Sequence, residues 1–315
     1  MDIKGFTAYL EGRGLAKRTK EGYLLTTKSF FDWIGKEDIQ VTKPDILNYL
    51  EYLKSKGLQN TSRQNHLLVL SHYFTFLYRN EKISENPCLF LKIRGTKTKK
   101  LYKIYTPEEL DQLFDNYYQL FIQNYDDSHI SSKLQRRYSA LYREQYVLMF
   151  SIFINQGVAT SEIEKIEISD LDFAKATIRI RSGKRGKERV LPLKATQIGL
   201  FMNYLQNIRP QVLEYQTKEC NNLFLSLPAT NKKQLINDMS KNVFFRLATQ
   251  IKTIDKQFLN FTQIRISLIT FWIKTQGLRK AQYMAGHRFI NSTEKFLPNN
   301  LDNLIDDINK LHPFL

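Results

Sequence analysis

The sequence predicts a mainly α protein in two domains: a four-helix bundle over residues 1–91 and an α+β domain over residues 105–315 with one small β-hairpin. Three observations carry this. Apolar residues recur at helical spacing along most of the chain, the pattern of helices that bury one face. One stretch, Ala176 to Leu193, instead alternates apolar and basic residues around a Gly/Lys turn, as a two-stranded ribbon does. Between the two helical blocks, Lys92 to Ile104 holds six basic residues, no acid and little to bury. Residues 92–104 therefore read as an exposed basic linker, either tracking phosphate or serving as a solvated tether.

The elements follow in order. Ile3 to Leu10 is a short amphipathic segment, and Thr19 to Ile34 places Tyr23, Leu24, Phe30, Phe31 and Ile34 on one side. Thr42 caps a third helix with Pro44 in its first turn. Asp45 to Lys56 then keeps Ile46, Leu47, Tyr49, Leu50 and Leu53 at helical spacing up to Gly57. A fourth helix runs from Thr61 to Tyr78 and stops before Asn86-Pro87; four helices with short connections make a bundle. Phe30, Phe31, Trp33, Tyr73, Phe74 and Phe76 are its expected core. Beyond the linker, Thr106-Pro107-Glu108-Glu109 opens a helix with a cap and acids in its first turn. After the hairpin, helices are expected over 194–206, 240–249, 260–275, 278–284 and 301–310. Tyr283 is expected in the core, and His66, His72, His129 and His312 are expected to be structural or exposed.

Charge narrows the function. The 315 residues carry 47 Lys+Arg against 31 Asp+Glu, a formal charge of +16, which favours a polyanionic partner, nucleic acid first. The longest apolar stretch, Tyr146 to Ile154, is far below the ~18–20 residues of a membrane span. The N-terminal MDIKGFTAYLEGRG has no apolar signal core, so a cytoplasmic location is expected, on the nucleoid in a bacterium. Cys88 and Cys220 make neither a disulfide framework nor a metal-ligand spacing, and no metal or other cofactor is expected. Between Lys175 and Lys194 there are eight basic residues and one acid, Glu188. Such a ribbon can enter a groove and neutralise phosphates; the alternative is an edge hairpin shielded by its lysines. Lys17, Arg18 and Arg63 flank helix starts, where free N–H groups and a basic side chain suit phosphate. With Lys97, Lys99 and Lys100 of the linker and Arg185, Lys187 and Arg189 of the hairpin, they form the expected nucleic-acid contact set, which the resemblance drawn below makes a DNA-contact set.

Five short motifs stand in a fixed order: Gly157-Val158-Ala159-Thr160-Ser161-Glu162-Ile163; Gly183-Lys184-Arg185-Gly186-Lys187-Glu188-Arg189-Val190-Leu191-Pro192-Leu193; Thr262-Gln263-Ile264-Arg265; Gly286-His287; and Ser292-Thr293-Glu294-Lys295-Phe296. In register, they resemble the boxes of the tyrosine recombinases, the phage integrase and Xer-type family. Thr19 to Tyr23 and the Thr61 helix resemble that family's core-binding, SAM-like domain. The resemblance implies a C-shaped clamp on double-stranded DNA and strand exchange through a 3′-phosphotyrosyl link. It makes Lys184 the general acid for the departing 5′ oxygen and Arg265 a phosphate clamp. His287 becomes a phosphate or proton partner, and Glu162 the acid that supports the first arginine. Guanidinium forks suit this chemistry because they pair with phosphate oxygens and stabilise the charge that builds there.

Three positions depart from the pattern. Ala159 stands at the first arginine, Thr262 at the first histidine and Phe296 at the nucleophile. Thr262 is the mildest departure; Phe296 has no oxygen with which to attack phosphorus. The chain therefore reads as a site-specific recombinase or integrase of a mobile element that is deficient in cleavage as written. The alternative is a non-catalytic DNA-binding partner of an active recombinase, or a regulator, reusing the fold; the departures fit either a natural degenerate recombinase or an active enzyme altered at Ala159 and Phe296 to trap a complex. A basic helical RNA-binding protein is the more distant rival, lacking an aromatic–basic strand motif. The resemblance also makes 301–315, with Leu301, Leu304, Ile305, Ile308 and Leu311 on one face, a docking helix for a dimer or tetramer on DNA. Packing on its own domain is the alternative.

Overall fold

The computed structural model describes residues 1–95, 102–182, 186–216, 220–227 and 241–297. The chain divides into two units, Met1–Lys100 and Leu101–Leu315. In the first, α1 (Ile3–Gly12) begins where the Asp2 side chain accepts the Gly5 N–H at 2.8 Å. Helices α2 (Lys17–Ile34), α3 (Lys43–Ser55) and α4 (Asn60–Arg79) complete the bundle. At the start of α3 the Asp45 carboxylate accepts from the Thr42 N–H (2.9 Å) and from its hydroxyl (2.8 Å). The four helices enclose Phe6, Leu10, Phe30, Ile46, Leu70, Tyr73, Phe74 and Leu77, all almost fully buried. Tyr73 keeps its hydroxyl satisfied, donating to Asp38 at 2.6 Å and accepting from the Asp2 N–H at 3.1 Å. Trp33 departs from the expected core: it is exposed, near the end of α2, with its ring against Tyr49 and Tyr52.

Cys88 is buried beneath α4, and burial pushes its thiol up to about 12. A thiolate is the reacting form. Iodoacetamide should therefore leave Cys88 unmodified in the folded chain and label it after denaturation; labelling under native conditions would contradict this packing.

In the second unit, α5 (Pro107–Tyr118) starts with both halves of a capping box between Thr106 and Glu109. The long α6 (Lys133–Gln156) is buried almost all round from Gln145 to Ile154. That explains the apolar run in the sequence, interrupted only by Ser151: a central helix has no wet face. It ends at Gly157, whose φ of +57° turns the chain, and the short α7 (Thr160–Ile163) follows.

Strands β1 (Leu171–Asp172), β2 (Thr177–Ile180) and β3 (Arg189–Pro192) form an antiparallel sheet in that order. Ile178 pairs with Leu191 and Ile180 with Arg189. The predicted ribbon thus carries a third, two-residue strand. Its alternation sets Ile178, Ile180 and Leu191 inward.

The chain continues through α8 (Ala195–Asn203), α9 (Arg209–Leu213), α10 (Lys241–Ile254), α11 (Phe261–Gln276), α12 (Leu278–Ala285) and α13 (Asn291–Glu294). Helix α10 outruns its expected end at Thr249 because fully buried Ile251 continues its apolar face. The helix expected at 301–310 lies outside the described residues. Among the described residues, no helix is long and apolar enough to cross a membrane.

Candidate active site

The turn after α6 builds the first wall of the site. Gly157 must be glycine both for its positive φ and because a Cβ there would press on the Trp272 ring at 2.8 Å. Ala159 then caps α7, and its N–H donates to the Glu162 carboxylate at 2.8 Å. Glu162 is buried and faces two guanidinium groups. Arg189 on β3 holds it with two parallel bonds, 2.7 Å to Oε1 and 3.1 Å to Oε2. Arg265 on α11 lies 3.4 Å from Oε2.

Arg265 is seated by backbone as well. Its Nη1 donates to the Gly157 carbonyl and its Nη2 to the Ala285 carbonyl, each at 2.5 Å. The ends of α6 and α12 therefore fix one cation between them. Of its five N–H groups, three are used by these protein acceptors.

His287 follows Gly286, whose φ is +66°. A Cβ on Gly286 would stand 3.0 Å from the Arg189 Cζ and 2.9 Å from the Lys187 carbonyl. The Gly286 carbonyl accepts the Lys187 N–H at 2.9 Å, and Gly186 bridges to His287. These contacts bring the hairpin turn to the histidine. Its Nδ1 meets the buried Thr293 hydroxyl at 2.9 Å, and its ring stacks on Phe296 with centroids 5.9 Å apart and planes at 15°.

The electrostatics follow from one carboxylate serving two arginines. Burial works against a charged Glu162, but hydrogen bonding and attraction from Arg189, with Arg265 and the Ala159 N–H, bring it below the usual carboxylate range. Burial lowers Arg265 to about 10, with Glu162 opposing and Arg189 adding to the fall, so it remains a cation at neutral pH. Burial, then Arg265 and Arg189, lower His287 to about 4 against the pull of Glu162. The imidazole is therefore neutral at pH 7 and works by hydrogen bonding.

Among the described residues, Glu162, Arg189, Arg265, His287 and Phe296 thus form one contiguous cluster, with Ala159 at its edge. Thr262 is exposed in the first turn of α11, one turn before Arg265. Phe296 packs on the core of this unit and offers no polar atom. Lys184 and Arg185, like Lys97, Lys99, Lys100 and the 301–315 segment, lie outside the described residues. Lys17, Arg18 and Lys187 are exposed. Arg63 is half-buried and spent on the Leu50 carbonyl (3.2 Å) and Asn60 Oδ1 (3.0 Å).

Two readings from the sequence are corrected here. Arg189, grouped with the groove-facing bases, is only 2% exposed and committed to Glu162, because its place opposite Ile180 points it inward. Tyr283, expected in the core, is 54% exposed. Ala281 and Ala285 occupy the buried face of α12, and the Tyr283 hydroxyl instead accepts the Val190 N–H at 3.2 Å on the edge of β3.

Asp170, read in the sequence only as the acid at a strand entry, has a structural role that the sequence did not reveal. Its buried carboxylate receives Arg179 at 2.7 Å and Arg181 at 2.8 Å, and Arg181 also pairs with Glu167. The signal was available: acids just upstream of a ribbon whose own window holds almost none.

Two family models match the chain: Phage integrase family over residues 128–301, and Phage integrase, N-terminal SAM-like domain, over residues 3–84. The tyrosine recombinase XerD of Staphylococcus saprophyticus is 27% identical over 175 residues, 55% of this chain and 55% of that protein. That of Staphylococcus aureus is 26% identical over the same shares. The chain thus spans about half the length of the curated relatives it matches. Three solved structures share the fold. The Tn1549 transposon integrase in complex with circular intermediate DNA has TM-score 0.63 and 17% identity, covering 93% of this chain and 94% of that one. A lambda integrase dimer bound to a COC′ core site has TM-score 0.62 and 14% identity, covering 94% and 93%. The XerH site-specific recombinase bound to palindromic difH substrate has TM-score 0.64 and 17% identity, covering 90% and 76%. With one family model covering more than half of the chain and the SAM-like model covering its first unit, the chain belongs to the phage integrase family, the tyrosine recombinases.

Proposed function

We propose that this chain binds duplex DNA as a mobile-element recombinase does and, as written, forms no phosphotyrosyl link with it. What supports this reading is Phe296, which the motif resemblance aligns with the nucleophile and which stacks on His287 without offering an oxygen. In the complete reaction a tyrosine oxygen would bond to phosphorus while the P–O bond to the 5′ oxygen breaks. Lys184 would supply the proton to that leaving oxygen, and Arg265 would hold the charge on the nonbridging oxygens. A neutral His287 would donate or accept a hydrogen bond at the same phosphate. Here the first step has no nucleophile, and Ala159 offers one guanidinium fewer to stabilise it.

The excess of basic over acidic residues supports the DNA partner. So do the related integrases and recombinase, whose solved structures hold DNA. In this reading the two units and the 92–104 linker close as a clamp around the duplex, and 301–315 docks on a second protomer in a dimer or tetramer. The joint loss of Arg at 159 and Tyr at 296 also favours a second reading, a non-catalytic partner or regulator beside an active recombinase.

The test is binding to a labelled duplex at several salt concentrations, followed by denaturation of the same sample. Retention that falls steeply with salt, without label on the denatured chain, is expected. A labelled denatured chain would overturn the reading.

A further inference from the structure

Before the basic linker the chain makes a turn that its own fold does not explain. The Leu91 N–H closes on the Cys88 carbonyl at 3.2 Å, and between them Phe90 adopts φ +61°. A turn of this kind is made most cheaply with glycine at that position, and a bulky side chain there strains the backbone. Phe90 returns nothing to the core for this, being 90% exposed.

The residues after it show why the position faces outward. Leu91 and Ile93 are half-buried and pack on the core of the first unit, while Lys92 and Arg94 are exposed. The Ile93 N–H donates to Gln64 Oε1 at 3.0 Å, and the Arg94 carbonyl accepts from Asn60 Nδ2 at 3.0 Å. The segment is therefore pinned along the first turns of α4 in an alternating register. Its outward side reads Phe90, Lys92, Arg94: one aromatic followed by two cations.

We propose that this side is a DNA-contact strip in which Phe90 packs against a deoxyribose of the duplex while Lys92 and Arg94 meet the adjoining phosphates. The proposal rests on the DNA-binding reading above. An exposed ring beside two cations can lie on a sugar while the cations neutralise the neighbouring phosphates.

Phe90→Gly makes the test, because the fold and the contact call for opposite outcomes. Glycine removes the strain, so the full chain should unfold at the same or a higher temperature. Binding to a fluorescein-labelled duplex of mixed sequence should weaken by about fivefold, the worth of a modest apolar contact. The slope of affinity against salt should stay unchanged, since an apolar contact releases no counterion. Lys92→Ala and Arg94→Ala should each lower that slope by about one. Phe90→Ala should bind as weakly as Phe90→Gly and melt below it.

If the unaltered chain binds the duplex and Phe90→Gly binds it equally well, the strip is wrong and the DNA reading stands. If the unaltered chain does not bind the duplex, both fall. A lower melting temperature for Phe90→Gly would show that Phe90 serves the fold, and would also overturn the proposal.

Discussion

Glu162→Ala should destabilise the second unit by about 3–5 kcal/mol, the range for breaking a buried ion pair and stranding its partner. The size follows from the geometry. Arg189 is wholly buried with its fork on this carboxylate, and Arg265 leans on the same group. Removing Glu162 leaves two guanidinium groups facing each other, with the Gly157 and Ala285 carbonyls answering Arg265 alone. Arg189→Ala should cost less, because Arg265 and the Ala159 N–H still serve the carboxylate.

The pH dependence has a defined sign. The carboxyl of Glu162 is lowered in the folded chain, so its stabilisation is present above its unfolded value and disappears as pH falls through the folded one. His287, lowered to about 4 from 6.5, adds a second loss over a different window. Between pH 6.5 and 4 the unfolded histidine takes up a proton that the folded one refuses, so stability falls as pH falls. His287→Asn should flatten the curve in that window and leave the lower-pH loss from Glu162. Urea unfolding from pH 8 to 3.5 measures both. A flat profile across that range would mean that the Arg189–Glu162–Arg265 cluster is not held as described.

The second large effect lies in the chemistry. Phe296→Tyr supplies an oxygen at the end of a ring already oriented by His287 and the core. In the presence of target DNA it should yield a covalent complex where the unaltered chain yields none. The rate should still be low, because Ala159 contributes no guanidinium. Adding Ala159→Arg should raise it about a hundred- to thousandfold, the usual worth of one donor to a developing oxyanion. The Glu162 carboxylate, already bonded to the N–H of residue 159, is the group that would seat the new side chain. If the double variant binds DNA and still forms no complex, the accessory reading gains over a recombinase lacking two groups.

Much of the fold was legible, and for physical reasons. Local signals fixed the helices: Thr42 with Pro44, the Thr106–Glu109 box and the Asn260 cap each mark a start. Boundaries moved where burial outran local signals, as at Ile251. The site was legible through Arg265, His287 and Phe296, which the resemblance of their motifs to the family's boxes singled out and which the fold brings together.

Its electrostatics were not legible. A charge count over the hairpin saw eight bases and one acid, while the acids that answer them, Glu162, Glu167, Asp170, Asp172 and Asp111, come from outside that window. Arg189 was misplaced for this reason. Its alternation with Val190 set it inward, but nothing local revealed a carboxylate waiting there. Tyr283 shows the converse: an aromatic on a short helix looks like core until two alanines are seen to fill the buried face.

The central claim is that a DNA-binding recombinase fold has lost its nucleophile at Phe296. Its most direct test is the intact mass of the denatured chain after incubation with a duplex carrying a bridging phosphorothiolate at the scissile position, beside the Phe296→Tyr, Ala159→Arg variant. That substrate traps any attack because the sulfur leaving group does not return. The account predicts the unmodified mass for the chain as written and an added DNA strand on the double variant. A DNA adduct on the unaltered chain, mapped to any residue, would contradict it.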